Sequence, residues 1–163
     1  MGPGTLRSQL IATYMIRNDV QLTADGPYFG NINDYSAELD EVTFRWSGRI
    51  LTSYEHGPFA HTVTFNYKSG YRDILTEVEL LAAGDVPTGE TEFVRLDVDD
   101  YYTFDWQSRW QATDSLNVTI GALNLFDEDP PLSLTTANFQ IGYDARYFDP
   151  RGRVLFGEVS FNF

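Results

Sequence analysis

Apolar and polar residues take turns along six stretches of this chain, each about ten residues long or longer. A period of two belongs to the β-strand, whose successive side chains point to opposite faces. Thr5–Arg17 sets Leu6, Leu10, Ala12, Tyr14 and Ile16 against Arg7, Gln9, Thr13 and Arg17. Val42–Tyr54 opposes Val42, Phe44, Trp46, Ile50 and Tyr54 to Thr43, Arg45, Ser47, Arg49 and Ser53. Phe59–Lys68, Tyr101–Gln111, Leu116–Leu125 and Arg153–Phe163 repeat the pattern. Ile11, Met15 and Leu51 break it by falling on the polar side, and His61 by falling on the apolar side. The chain is read as all-β, an antiparallel meander of about six long strands.

The connections are unequal. Glu55-His-Gly-Pro58 and Ala112-Thr-Asp-Ser115 are tight turns built from turn-forming residues. Asp19–Glu41, Ser69–Val98 and Phe126–Gly152 are long, acidic and rich in Gly, Pro and Asp. Connections of that length are uncommon in compact soluble domains and usually carry function. Short turns at one end and long loops at the other is the layout of an outer-membrane β-barrel.

Alternation serves a soluble sandwich, apolar side inward, as well as a barrel, apolar side outward. The lengths of the runs match the 9–11 residues a tilted strand needs to cross a bilayer, where globular strands run nearer 5–6. Tyr54, Phe59, Trp110, Phe161 and Phe163 gather near the short turns, and Phe44, Tyr67, Tyr102 and Phe104 near the long loops. Leu10, Ala12, Val63, Val118 and Ile120 lie between. Two aromatic belts around an aliphatic band suit a bilayer.

Composition excludes other classes. A formal charge of −13 argues against nucleic acid as a partner. Without Cys there is no disulfide framework, thiolate metal site or cysteine nucleophile. No apolar run is long enough for a transmembrane helix. The opening Met1-Gly-Pro-Gly-Thr-Leu-Arg7 has neither the basic nor the apolar region of a secretory leader. Met1 is therefore read as internal to a longer coding sequence, or as added to it. Catalysis is not expected: His56 and His61 are the histidines, and neither an HExxH nor a G-x-S-x-G motif occurs. Asp97, Asp99 and Asp100, and Asp127, Glu128 and Asp129, lack the spacing of a calcium loop, so no metal or cofactor is assigned.

The end of the chain adds a further signal. Gly121-Ala-Leu-Asn124-Leu-Phe-Asp127 is followed by Pro130-Pro131, then Tyr143-Asp144, then Asp149-Pro-Arg-Gly-Arg153, then a terminal Phe163. In that order, these segments resemble the C-terminal end of a TonB-dependent outer-membrane receptor. The resemblance implies strands seventeen to twenty-two of a 22-stranded barrel, spanning residues 1–163. The family's plug domain, TonB-contacting segment and signal peptide have no counterpart here. It further implies active uptake of a scarce nutrient (siderophore, cobalamin or oligosaccharide), with this segment inactive alone. The implied location is the bacterial outer membrane. The implied partners are its lipid, the remaining strands and plug, the TonB system through that plug, and the barrel-assembly machinery. The assembly signal would be Phe163, Phe161, Val159, Gly157 and Leu155.

Arg45, Arg49 and Arg109, with Asp105, share the polar parity and are candidates for lining a lumen; equally, the arginines pair with carboxylates such as Asp105 and Glu158, or with plug residues. Tyr28, Phe29, Tyr35, Tyr71 and Phe139 are candidates for a ligand surface on the loops, or for loop packing. The competing reading is a soluble or surface-associated β-domain that binds a partner, using the same strands folded apolar side inward.

Overall fold

The computed structural model describes residues 4–135 and 142–162. Its strands in chain order are β1 (Thr5–Tyr14), β2 (Asp19–Gln21), β3 (Tyr28–Gly30), β4 (Trp46–His56), β5 (Phe59–Lys68), β6 (Tyr71–Arg72), β7 (Thr76–Ala82), β8 (Val86–Val94), β9 (Asp97–Val98), β10 (Tyr101–Gln111), β11 (Leu116–Leu123) and β12 (Val154–Phe161). The six long alternating runs form one antiparallel sheet in the order β1-β4-β5-β10-β11-β12. Every neighbour in that sheet is the next long strand in sequence, so the sheet is a meander. The β4–β5 turn is two residues, and Gly57 takes the positive φ of 55° that such a hairpin needs at its first position.

Register carries the alternation across all six strands. Leu10 faces Ile50, Ile50 faces Phe65, and Phe65 faces Phe104. At the other end, Val118 faces Val159. The opposite face reads Arg49, Asn66 and Thr103 across β4, β5 and β10.

No element packs on the apolar face among the described residues. Leu10 is 69% exposed, Val159 70% and Leu155 76%, and Leu6, Ile50, Phe59, Val63, Trp110 and Ile120 are exposed beside them. With roughly half of each aromatic's 150–250 Å² left open, the uncovered apolar area is on the order of 1,000 Å². Monomeric soluble proteins rarely expose patches above a few hundred Å². Among the described residues this face is not turned inward. Within the sheet β1 and β12 are the two edges, each hydrogen-bonded on one side only.

The buried core sits in the long connections instead. Tyr35, Val42, Tyr71, Val98 and Phe148 are buried together, with Phe44, Ile74, Tyr101, Tyr143 and Tyr147 packed around them. Its rings meet edge to face: Phe44 against Tyr147 at 5.1 Å and 88°, and Tyr101 against Phe148 at 5.2 Å and 73°. That geometry places the positive edge of one ring on the negative face of another. The connection between β1 and β4 doubles back, and residues 31–36 wedge between the chain before β4 and strand β6. Thr43 N–H donates to Asn31 O at 2.9 Å, and Tyr35 N–H to Arg72 O at 2.8 Å.

Three sequence expectations need correction. Val42–Arg45 leaves the second long run, because the chain bends at Arg45. Phe44 therefore joins the loop core, and Tyr14 and Trp46, 4.6 Å apart, stand at that end of the outer aromatic row. The run Leu116–Leu125 stops at Leu123, where Asn124 turns with φ 48° and binds Glu128 through both side-chain atoms. Third, the long connections hold the hairpins β2–β3 and β7–β8 and the pair β6–β9, which carboxylate-rich composition concealed.

Gly121 marks the tightest point of the β10–β11–β12 region. A Cβ there would lie 2.5 Å from the Phe156 ring and 2.6 Å from the Trp106 carbonyl oxygen, and that oxygen is backbone. Gly121→Ala is expected to lower stability by about 1–3 kcal/mol, the usual penalty of overpacking. Gly157→Ala, which meets nothing closer than 3.8 Å, should change it by less than about 0.5 kcal/mol. Denaturant midpoints of the two variants in detergent check the contrast.

Candidate functional site: a hollow under the loop cap

The loop core roofs the long-loop end of the polar face, and its polar ties explain how three separate connections hold one shape. The Asp144 side chain is fully buried and accepts from Arg146 Nε at 2.9 Å and Nη2 at 2.7 Å. Such a two-point contact is the geometry in which an arginine holds a carboxylate most firmly. The far side of the same guanidinium donates to the Asp40 carbonyl oxygen and, at 3.3 Å, to its carboxylate. Its carbon lies 5.6 Å from the Tyr35 ring centre and 5.5 Å from that of Tyr147. One arginine thereby joins the first connection to the third.

Other ties complete the cap. The buried Asp73 carboxylate accepts from Leu134 N–H at 2.6 Å and Ile74 N–H at 2.8 Å, joining the second connection to the third. Arg95 binds Asp34, joining the second to the first. Val42 N–H donates to the Tyr147 hydroxyl at 2.9 Å. Lys68, the last residue of β5, donates to the Tyr147 carbonyl oxygen while its ammonium sits 5.5 Å from the rings of Phe44 and Phe148.

Burial raises the Tyr35 hydroxyl pKa, and its hydrogen bond to Asp40 raises it further. The same bond holds the Asp40 carboxyl below the ordinary carboxylate range, with help from Arg146. Desolvation raises Tyr71 more strongly. Asp149 is lowered by the hydrogen bonds it accepts from the Arg151 side chain and backbone.

Below the cap, the polar face of the sheet carries a hollow of about 570 Å³. Its sheet side is Arg49 on β4, Asn66 and Lys68 on β5, and Thr103 and Asp105 on β10; Tyr147, Asp149 and Arg151 close it from the cap. Asp105 is held at both oxygens, by Asn124 N–H at 2.9 Å and Asn66 Nδ2 at 2.8 Å. Asp149 pairs with Arg151 at 2.6 Å. A second hollow of about 410 Å³ lies nearer the short turns, with Glu55, Arg109 and Glu158 in its lining.

Charge is unevenly divided between cap and sheet. Residues 15–45, 69–100 and 124–153 carry twenty of the 24 carboxylates and seven of the eleven cations, which is the whole net charge of −13. The long strands and short turns carry four of each and are neutral.

The proposed lumen residues divide accordingly. Arg49 and Asp105 share the larger hollow and Arg109 lines the smaller. Arg45 stands apart at the bend before β4, with its guanidinium 5.9 Å from the Tyr14 ring, so it does not join them. The anticipated pairing of these arginines with Asp105 or Glu158 does not occur among the described residues.

The loop aromatics, read as a ligand surface or as loop packing, divide between the two. Tyr35 and Tyr71 are 8% and 4% exposed and form the loop core, so packing claims them. Tyr28 is exposed and Phe29 half-buried on the β2–β3 hairpin, and Phe139 lies outside the described residues. Of the residues expected to form an assembly signal, Leu155, Val159 and Phe161 are exposed on the apolar face of the edge strand β12, which Gly157 shares; Phe163 lies outside the described residues.

Lys68, Arg146 and Tyr147 were missed as cap residues. A signal existed: Asp144-x-Arg146 and Asp149-x-Arg151 repeat one spacing, and in both the arginine binds the aspartate two residues earlier. The fold is thus an all-β meander with a hollow on its polar face and an apolar face opposite that no element covers among the described residues. No protein-family model, curated protein or solved structure matches the chain.

Arg146→Ala would leave the Asp144 carboxylate buried without its counter-charge, and is expected to cost about 3 kcal/mol of cap stability. Amide hydrogen exchange at Val42 and Tyr147 reads that loss directly. Because the Asp40 carboxyl is depressed in the folded cap, its contribution is complete above the ordinary carboxylate range near pH ~4. It is lost as pH falls through the lowered value. Protection factors of the same amides should drop over that acidic window, and Asp40→Asn should weaken the dependence.

Proposed function

We propose that this chain is the C-terminal part of the barrel wall of a TonB-dependent outer-membrane receptor that takes up a scarce nutrient. The observation that carries the reading is the uncovered apolar face, six strands wide, behind a polar face roofed by the long loops. A bilayer covers such a face completely, while water leaves on the order of 1,000 Å² of it unfavourably exposed. The ordered motifs from Gly121 to Phe163 resemble those of the family and support the reading.

The sheet edges define the rest of the proposal. Strands β1 and β12 each leave roughly four or five N–H and as many C=O groups without ladder partners. In hydrocarbon each unsatisfied group costs several kcal/mol, so each open edge costs tens. A closed barrel gains the same apolar burial without that cost. The segment accordingly works with further strands on both edges and with a plug inside. It supplies wall, outer loops and assembly strand, with no chemistry and no resident cofactor of its own.

An antibody against residues 149–163 is expected to detect a heat-modifiable band in the outer-membrane fraction, several-fold larger than 18.6 kDa. A soluble band at 18.6 kDa would overturn the reading in favour of a partner-binding soluble domain. Expression of the 163 residues alone in a receptor-deficient cell is expected to restore no uptake.

A further inference from the structure

Three apolar residues on the polar parity of the sheet line one hollow. Ile11 of β1, Leu123 of β11 and Val154 of β12 all line the larger hollow under the cap. Ile11 was an unexplained break in the alternation, and here it gains a reason. These side chains, with Tyr101, give the hollow an apolar body within an otherwise polar face. Its volume of about 570 Å³ falls in the 300–1,000 Å³ range of small-molecule sites, which combine apolar walls with a few placed polar groups.

The charged groups around it are satisfied internally, with one exception. Asp105 is held by two donors, Asp149 by Arg151, and Lys68 by the Tyr147 carbonyl oxygen. Arg49 is exposed to the hollow and has no hydrogen-bond or ion-pair partner among the described residues. A guanidinium offers five N–H donors in a planar fork and accepts nothing, so its complement is an oxyanion.

We propose that this hollow binds a small molecule carrying a single carboxylate on an apolar body. The carboxylate meets the Arg49 fork, and the body lies against Ile11, the cross-strand neighbour of Arg49 on β1. A monoanion fits better than a phosphate dianion or a polycarboxylate. The charged lining is Arg49, Lys68 and Arg151 against Asp105 and Asp149, three cations to two carboxylates, so one negative charge balances it and a second is in excess. The inference rests on the receptor reading and deepens it by naming the chemistry of its cargo.

The test uses the detergent-extracted native protein that carries this chain, with benzoate as probe and inorganic phosphate and benzylamine as comparisons. Benzoate is expected to bind saturably by calorimetry and to shift the Arg49 Nε–H resonance. Arg49→Gln should weaken it tenfold or more, Arg49→Lys should retain part of the affinity, and Arg109→Gln, in the second hollow, should leave it unchanged. Phosphate and benzylamine should bind more weakly than benzoate. Absence of saturable benzoate binding overturns the proposal. Equal loss in Arg109→Gln overturns it as well, since that marks diffuse charge attraction. So does an Arg49 resonance already in its paired position without probe, which would mean that another part of the protein occupies the fork. Heat-modifiable migration of each variant controls for folding. The two ideas fail separately: benzoate binding in a protein absent from the outer membrane removes the receptor reading and keeps the site, and outer-membrane location without binding does the reverse.

Discussion

The ladder of backbone hydrogen bonds across β1-β4-β5-β10-β11-β12 is the constraint on which everything else rests. Side chains alternate with a strict period of two along each strand, so a slip of one residue at any interface would carry a whole strand's apolar set to the other face. The observed register keeps Leu10, Ile50, Phe65 and Phe104 in one row across four strands. The same register places Arg49, Asn66 and Thr103 in a row behind them. One face can then be given to an apolar surrounding and the other to water. The hollow, its arginine and the outward aromatic rows are all consequences of that pairing.

The second organising feature is the way the long connections are stabilised without help from the sheet's apolar face. Tyr35, Val42, Tyr71, Val98 and Phe148 exclude water from a small core that borrows residues from all three connections. A core of that size contributes modestly, each large side chain adding about 1.5–3 kcal/mol on full burial. Buried polar groups therefore carry much of the specificity. Asp73, Asp144 and Asn31 are wholly buried, and each is held by identified donors or acceptors. Leaving any one of them unpaired would cost more than its hydrogen bond contributes. The cap consequently has one arrangement rather than many, and the hollow beneath it has a defined roof.

The strands were largely legible in the residues because alternation is a local signal. Phe59–Lys68 and Tyr101–Gln111 run between the bounds that the pattern suggests. The cap was not legible, because its contacts join residues far apart: Arg146 and Asp40 are separated by 106 positions, and Lys68 and Tyr147 by 79. Phe44 shows the difference at one residue. Its parity assigns it to the outer face, and only the bend at Arg45 sends it into the loop core. Tyr35 and Tyr71 show it again. An aromatic in a polar loop reads as an exposed anchor until the partners that bury it are known.

The sequence by itself determined the all-β class, the six long strands, their two chemically distinct faces and the concentration of acid in the long connections. Those properties follow from nearest-neighbour rules: the period of side-chain direction, the residues that turns require, and the count of charges. Only the tertiary structure decided that the loops build their own core and that, among the described residues, the apolar face stays uncovered and Arg49 lines a hollow with Ile11, Leu123 and Val154 without a partner. Each of those depends on which distant residues approach within a few ångströms, and no local pattern in the chain encodes that distance.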